Sequence, residues 1–141
     1  MEKKWWVERT GPKTWIGHSP RGSTVVMAPT DADVPGAFTP GELLKLALAG
    51  CAGMSSEGPA VRRLGSDFAA TIIVDSTDHP TQDRYESFTE HIQLDASALD
   101  EAGRAALVAT MTRAIERSCT IGLTLRHGAI ATVRIEDTPS R

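Results

Sequence analysis

The chain of 141 residues contains only two cysteines, and these are the residues whose spacing and setting most suggest chemistry. Cys51 ends the small, apolar run Leu46–Gly50, which predicts the middle of a helix. Cys119 follows Glu116–Ser118 at the end of a second helical pattern. A thiolate is a nucleophile, and two thiols can be oxidised to a disulfide. Two thiols on two distant helices therefore favour thiol redox chemistry at a site assembled by the fold.

The local settings of the two thiols predict different roles for them. Burial within a helix should raise the pKa of Cys51, so we expect a cationic group, an arginine from elsewhere in the fold, to stabilise its thiolate. Cys119 lies near a helix C-terminus, where the helix dipole opposes negative charge. We therefore predict that Cys51 attacks and that Cys119 closes a disulfide. The alternative is that both are small buried hydrophobic residues, as most free cysteines are.

Length and composition predict one soluble globular domain that spans residues 1–141. Hydrophobic residues make up 40% of the chain and charged residues 23%, which are ordinary values. A net charge of -3 without a basic run gives no reason to expect nucleic acid or a membrane surface as a partner. The N-terminus lacks the apolar stretch of a secretory signal, so we expect a cytoplasmic protein. In that compartment a disulfide is more often catalytic or transient than structural.

The first half of the chain predicts three short strands and then a long helix. Thr39 can cap this helix, Pro40 suits its first position, and Glu42 is placed to complete a capping box. Gly58-Pro59 is expected to kink or interrupt the helix before residue 61. No histidine or cysteine pair has a metal-binding spacing, so we predict no metal and no cofactor.

The second half predicts two longer strands over residues 68–76 and 84–94, followed by another helix. Ser97 is the predicted cap of that helix, and Ala129 to Glu136 is predicted to be a closing strand. The resulting order, βββ-α-ββ-α-β, indicates an α+β fold.

Two segments resemble the OsmC/Ohr family of osmotically induced and organic hydroperoxide resistance proteins. Residues 38–51 (Phe-Thr-Pro-Gly-Glu-Leu-Leu-Lys-Leu-Ala-Leu-Ala-Gly-Cys) are similar to its central helix, and residues 116–122 (Glu-Arg-Ser-Cys-Thr-Ile-Gly) to its second cysteine segment. The resemblance covers nearly the whole chain. It implies an OsmC-like α+β fold with a long buried central helix, an intertwined homodimer, and active sites at the subunit interface.

The same resemblance implies an activity and a role for each thiol. Organic hydroperoxides would be reduced through a sulfenic acid on Cys51 and a disulfide between Cys51 and Cys119. A cellular dithiol of the lipoyl or thioredoxin-like kind would then reduce that disulfide. An apolar pocket around Leu44, Leu48 and Met54 would favour organic over hydrogen peroxide.

Two positions depart from the family pattern and indicate a divergent branch. A glutamate that follows the proline directly pairs, in the best-described members, with the arginine that activates the thiol. Here that position is Gly41, and Glu42 comes one residue later, either as a substitute for that glutamate or only as part of the capping box. Proline usually follows the second cysteine, whereas this chain has Thr120.

The activating arginine is predicted to be Arg21, in the turn formed by residues 19–23, with Arg9 and Arg117 as competitors. Two other functions stay open. Gly41 and Thr120 favour a stress-linked protein that binds a hydrophobic ligand. The third function is a redox sensor whose disulfide changes a partner contact.

Overall fold

The computed structural model describes residues 4–139 and has mixed α+β architecture, as the sequence predicts. Its elements in chain order are β1 (Trp6–Gly11), β2 (Thr14–His18), β3 (Thr24–Met27), a short 3-10 helix (Thr30–Ala32), α1 (Pro40–Leu64), β4 (Ala70–Asp78), β5 (Tyr85–Leu94), α2 (Glu101–Ser118) and α3 (Thr120–His127).

The chain forms two compact units, and α1 contributes to both of them. One unit contains residues 4–50 together with Ile72–Ile92. The other contains Cys51–Thr71 together with residues 93–139.

Strands β1, β2 and β3 form an antiparallel sheet in that order, which confirms the three predicted strands. In this sheet Trp6 pairs with His18, and their rings stack with centroids 4.7 Å apart. His18 Nε2 also lies 2.9 Å from a carboxylate oxygen of Glu8. Strands β4 and β5 form a separate two-stranded sheet. Their bounds lie within two residues of the predicted ranges 68–76 and 84–94.

Helix α1 begins with the predicted capping box. The backbone N–H of Thr39 donates to Glu42 Oε1 at 2.8 Å, and the N–H of Glu42 donates to Thr39 Oγ1 at 3.1 Å. The helix then continues through Pro59 to Leu64, so the predicted interruption at Gly58-Pro59 is wrong. Proline removes one helical donor, the N–H that would reach the carbonyl of Ser55. The hydrogen bonds and packing of the remaining turns are sufficient to continue the helix.

The buried positions of α1 follow helical spacing. They recur every four residues along one stripe and comprise Leu48, Ala52, Ser56 and Ala60. Other apolar side chains of this helix are exposed, with exposed fractions of 54% for Leu46 and 80% for Met54. Within the described chain, full burial of α1 is confined to this stripe.

Helix α2 starts later than its predicted cap. Ser97 lies in a turn before the helix, where its N–H donates to Asp95 Oδ1 at 2.9 Å. The N-cap is Asp100, whose Oδ1 accepts the N–H of Gly103 at 2.7 Å. The prediction of Ser97 as the cap is therefore wrong. Ser97 belongs to the turn before the helix, and Asp100 is the residue that accepts a free N–H of the first helical turn. The predicted apolar stripe is present, with Leu107 and Met111 buried.

The C-terminal part of the chain differs most from its prediction. A third helix, α3, follows Cys119 and ends at Gly128, which has the left-handed conformation that favours glycine (φ 65°). The predicted closing strand Ala129–Glu136 is wrong, since residues 129–139 form no strand. A strand requires a neighbouring edge for its backbone groups, and the described residues pair none with this segment. Its apolar side chains are consequently exposed, with fractions of 94%, 84% and 97% for Ile130, Val133 and Ile135.

Candidate thiol site

Cys119 occupies the junction between two consecutive helices. Its backbone N–H donates to the carbonyl of Ile115 at 2.9 Å and closes α2, while its Sγ accepts the N–H of Gly122 at 3.4 Å and caps α3. The side chain is 2% exposed. The prediction placed Cys119 only at a helix C-terminus. The structure adds the start of α3, where free N–H groups and the helix dipole favour negative charge.

Cys51 of α1 is partly buried and lies next to the junction of α2 and α3. The backbone groups of Ile121 and Thr120 and the side chains of Cys119 and Ser55 are near enough to Cys51 to influence the pKa of its thiol. The structure therefore brings together the two thiols that the sequence singled out. Both are free cysteines.

These contacts determine the acidity of Cys51. Burial by itself raises the pKa of the thiol, because it removes water from the charged form. The hydrogen bonds from Ile121, Cys119, Thr120 and Ser55 outweigh that effect and hold the pKa below its usual value. Among the described residues, the groups that lower the pKa are backbone donors and neutral side chains.

Thr120 explains one of the two departures from the family pattern. Proline has no backbone N–H, so a proline at this position could not donate to the Cys51 sulfur. With threonine the first residue of α3 keeps that donor, which is one of the groups that lower the pKa of Cys51.

Gly41 explains the other departure. A Cβ added at this position would overlap the hydroxyl oxygen of Tyr85, so Tyr85 occupies the space of a side chain at residue 41. Lys45 lies one helical turn further along α1, with Nζ 5.0 Å from the centroid of the same ring. Glycine at position 41 therefore leaves the space that the Tyr85 hydroxyl occupies, and a larger residue there would require Tyr85 to shift.

The predicted site residues Glu42 and Arg21 lie in the first unit. Glu42 is engaged in the capping box, where hydrogen bonds from Thr39 hold the pKa of its carboxyl below the usual value. Arg21 lies in the exposed β2–β3 turn, and its backbone N–H donates to Ser19 Oγ at 3.3 Å. The roles of Arg21 and Glu42 in thiol chemistry stay predictions, as do those of the competitors Arg9 in β1 and Arg117 in the last turn of α2.

Sequence reasoning missed the residues that lower the pKa of Cys51 besides Cys119. Ser55 is four residues after Cys51 on a helix, and this i, i+4 spacing could have identified it. Thr120 and Ile121 contribute backbone groups, which residue type does not reveal. Among residues 4–139 no cluster of three His, Cys, Asp or Glu side chains is arranged to hold a metal ion. The same residues contain no helix that is both long and apolar enough to cross a membrane.

The sequence pattern of OsmC-like proteins matches residues 31–134, a range that contains both cysteines. The chain belongs to the OsmC-like family. Uncharacterized proteins of Mycobacterium tuberculosis and Mycobacterium bovis are 44% identical to it over 132 residues, which is 94% of this chain and 95% of each relative.

Solved structures support the same fold at much lower sequence identity. An OsmC-like protein from Mycoplasma pneumoniae matches with a TM-score of 0.65 at 15% identity, over 91% of each chain. A Lactobacillus casei protein, provisionally named a redox protein, matches with a TM-score of 0.56 at 20% identity, over 89% of this chain and 85% of that one. This confirms the OsmC-like fold that the sequence predicted.

Proposed function

We propose that this OsmC-like protein is a thiol-dependent peroxidase that reduces organic hydroperoxides in oxidative stress defence. The observation that carries the proposal is the contact between Cys119 and a Cys51 thiol whose pKa is lowered by its hydrogen bonds. A nucleophilic thiolate next to a second thiol is the arrangement that a peroxide-reducing disulfide cycle requires. The provisional redox name of the L. casei structure agrees with this chemistry.

In the first step, the Cys51 thiolate attacks the terminal oxygen of the hydroperoxide. A sulfur–oxygen bond forms as the oxygen–oxygen bond breaks, and the alkoxide leaves and takes up a proton to become an alcohol. Cys51 is thereby oxidised by two electrons to a sulfenic acid. The N–H donors of α3 assist by stabilising the attacking thiolate, because a helix N-terminus favours negative charge.

In the second step, the Cys119 sulfur attacks the sulfenic sulfur of Cys51. A disulfide forms, and the sulfenic oxygen leaves as water with the proton from Cys119. A cellular dithiol, lipoyl or thioredoxin-like, then exchanges with this disulfide and returns two electrons and two protons. Neither a metal nor an organic cofactor is needed in this cycle.

The proposal includes a homodimer, because the single chain leaves apolar side chains in water. Met54 of α1 and the three residues Ile130, Val133 and Ile135 are at least 80% exposed. An interface with a second chain would remove such large apolar side chains from water. We expect sedimentation equilibrium at micromolar concentration to give the mass of two chains. A single-chain mass across that range would contradict the homodimer.

A cavity in the first unit supports a second candidate function, the binding of an apolar ligand. Its volume is about 950 Å³, and its wall includes Val7, Trp15, Met27 and Pro40. Lys13 also lines it and forms a 3.5 Å ion pair with Asp31. A largely apolar wall with few polar groups is typical of small-molecule sites.

Turnover of an alkyl hydroperoxide with dihydrolipoamide as the dithiol distinguishes the two functions. We expect the peroxidase to consume peroxide catalytically, and faster with an alkyl hydroperoxide than with hydrogen peroxide. Alkyl burial contributes about 0.8 kcal/mol per methylene, which favours the organic substrate. If neither dihydrolipoamide nor thioredoxin supported turnover and native mass spectrometry detected a copurified apolar ligand, the binding function would replace the peroxidase.

A further inference from the structure

We infer that the β4–β5 turn, residues 79–84, is a pH-sensitive part of the wall of the apolar cavity. The imidazole of His79 holds the turn in place while its Nδ1 is unprotonated, and protonation of that nitrogen releases the turn. Asp83 of this turn lines the cavity. The consequence for a bound ligand rests on the second candidate function, whereas the turn itself can be tested without a ligand.

The side chain of His79 supplies the hydrogen bonds that shape this turn. The backbone N–H groups of Thr81 and Gln82 both donate to His79 Nδ1, at 3.1 and 3.0 Å. Neither N–H donates to a backbone carbonyl among the described residues. The arrangement is that of an Asx turn, in which a side-chain acceptor binds N–H groups a few positions later. The conformation of residues 80–82 therefore depends on one imidazole nitrogen.

Two donors at one nitrogen determine where the ring holds its proton. An acceptor needs a free lone pair, so Nδ1 is unprotonated and the neutral ring has its proton on Nε2. Protonation of Nδ1 would direct a new N–H at the N–H groups of Thr81 and Gln82, and both hydrogen bonds would be lost. The Thr81 hydroxyl oxygen, 3.5 Å from Nδ1, could accept from the protonated ring but would not replace those two bonds. Histidine as a residue type gains its proton between pH 8 and 5.

A carboxylate beside the ring would hold His79 in place after protonation, but the described chain provides none. No carboxylate oxygen of residues 4–139 forms an ion pair with His79 within 4.0 Å, although Asp78 and Asp83 are close in sequence. The cation of the turn, Arg84, donates from Nε to Gln82 Oε1 at 2.6 Å. Protonation of His79 therefore removes two hydrogen bonds without an ion pair to offset their loss.

Asp83 connects this turn to the cavity. Among the described residues that line the cavity, Asp83 is the one that the β4–β5 hairpin contributes. The charged residue that the β1–β2 turn contributes to the same wall is Lys13, which is paired with Asp31 at 3.5 Å. Release of the β4–β5 turn would remove one side of the wall and admit water to the apolar surfaces around Trp15. A bound apolar molecule would then be held less tightly.

The first part of the test is NMR spectroscopy of the ¹⁵N-labelled protein from pH 8 to 5. We expect the neutral His79 ring to have its proton on Nε2. The amide signals of Thr81 and Gln82 should shift together, at the same midpoint at which Nδ1 gains a proton. His79→Asn is the matched variant, because the asparagine oxygen accepts the same N–H groups and does not titrate. Its two amide signals are expected to stay constant over this range.

The second part is the binding of N-phenyl-1-naphthylamine, an uncharged apolar fluorescent probe, at pH 7.5 and pH 5. We expect the wild-type Kd to be about fivefold higher at pH 5, which corresponds to the net effect of about one hydrogen bond. His79→Asn should bind the probe equally at both pH values. His79→Ala, which has no acceptor, should bind at both as weakly as the wild type does at pH 5. His18 and His91 remain in both variants, so an effect that originates from them would persist.

An Nδ1–H tautomer in the neutral ring overturns the proposal, as do amide signals that do not follow the titration of the ring. Equal shifts in His79→Asn also overturn it, because their cause would lie outside this imidazole. An unchanged wild-type Kd between the two pH values overturns the link between the turn and the cavity. A wild type that binds no probe at pH 7.5 contradicts the second candidate function and that link, and the amide signals alone then decide whether the turn is pH-sensitive.

Discussion

Cys51→Ser is expected to abolish hydroperoxide turnover, with a loss of about a thousandfold or more. The hydroxyl of serine has a far higher pKa than a thiol and is a poor nucleophile toward peroxide, so the donors around residue 51 cannot compensate. The measurement is steady-state consumption of an alkyl hydroperoxide with dihydrolipoamide. Turnover retained in Cys51→Ser would place the chemistry at another residue.

Cys119→Ser is the matched variant for this prediction. Serine is a strong N-cap, so its hydroxyl can replace Sγ as the acceptor for the N–H of Gly122 and preserve the start of α3. We expect the variant to react once with peroxide and to accumulate a sulfenic acid on Cys51, which dimedone traps. Trapping at Cys119 in the Cys51→Ser protein would instead reverse the two proposed roles.

Gly41→Ala is expected to destabilise the protein by about 1 kcal/mol. The added methyl group would overlap the Tyr85 hydroxyl, and the ring carbon Cζ would lie 3.1 Å from it. Overpacking of this kind costs about 1–3 kcal/mol. Alanine recovers up to about 1 kcal/mol of that through its higher helix propensity. Urea denaturation monitored by circular dichroism measures the difference in the free energy of unfolding.

Two further variants test whether Tyr85 is the cause. Gly50→Ala is on the same helix with open space around its Cβ, so we expect it to stabilise the protein by up to about 1 kcal/mol. Tyr85→Phe removes the nearest atom, and the double variant Gly41→Ala/Tyr85→Phe should regain part of the lost stability. Additive effects of the two substitutions would exclude a direct conflict between residue 41 and the tyrosine hydroxyl.

The start of α1 shows why some elements could be predicted closely. Thr39, Pro40 and Glu42 are within four positions, and the two hydrogen bonds of the cap join Thr39 and Glu42. Capping depends on such neighbours, so the sequence contains all the information that it requires. The family relationship is of the same kind, because it rests on residue patterns around Cys51 and Cys119.

The errors arose where the outcome depends on distant or competing groups. Ser97 is a good capping residue, but a turn involving Asp95 leaves Asp100 to cap α2. The residues after 129 have the composition of a strand, yet the described chain pairs no edge with them. Local propensity cannot supply a partner strand.

At the thiol site, too, some features depend on local sequence and others on distant parts of the fold. The sequence by itself determined that two cysteines are available, that Cys51 lies within a helix and Cys119 at the end of one, and which family pattern they follow. Only the tertiary structure decided what surrounds Cys51. Among the described residues, the groups that lower the pKa of Cys51 are backbone groups of Ile121 and Thr120 and the side chains of Cys119 and Ser55. Backbone N–H groups belong to every residue except proline, so their availability depends on where a helix begins and which side chain approaches it.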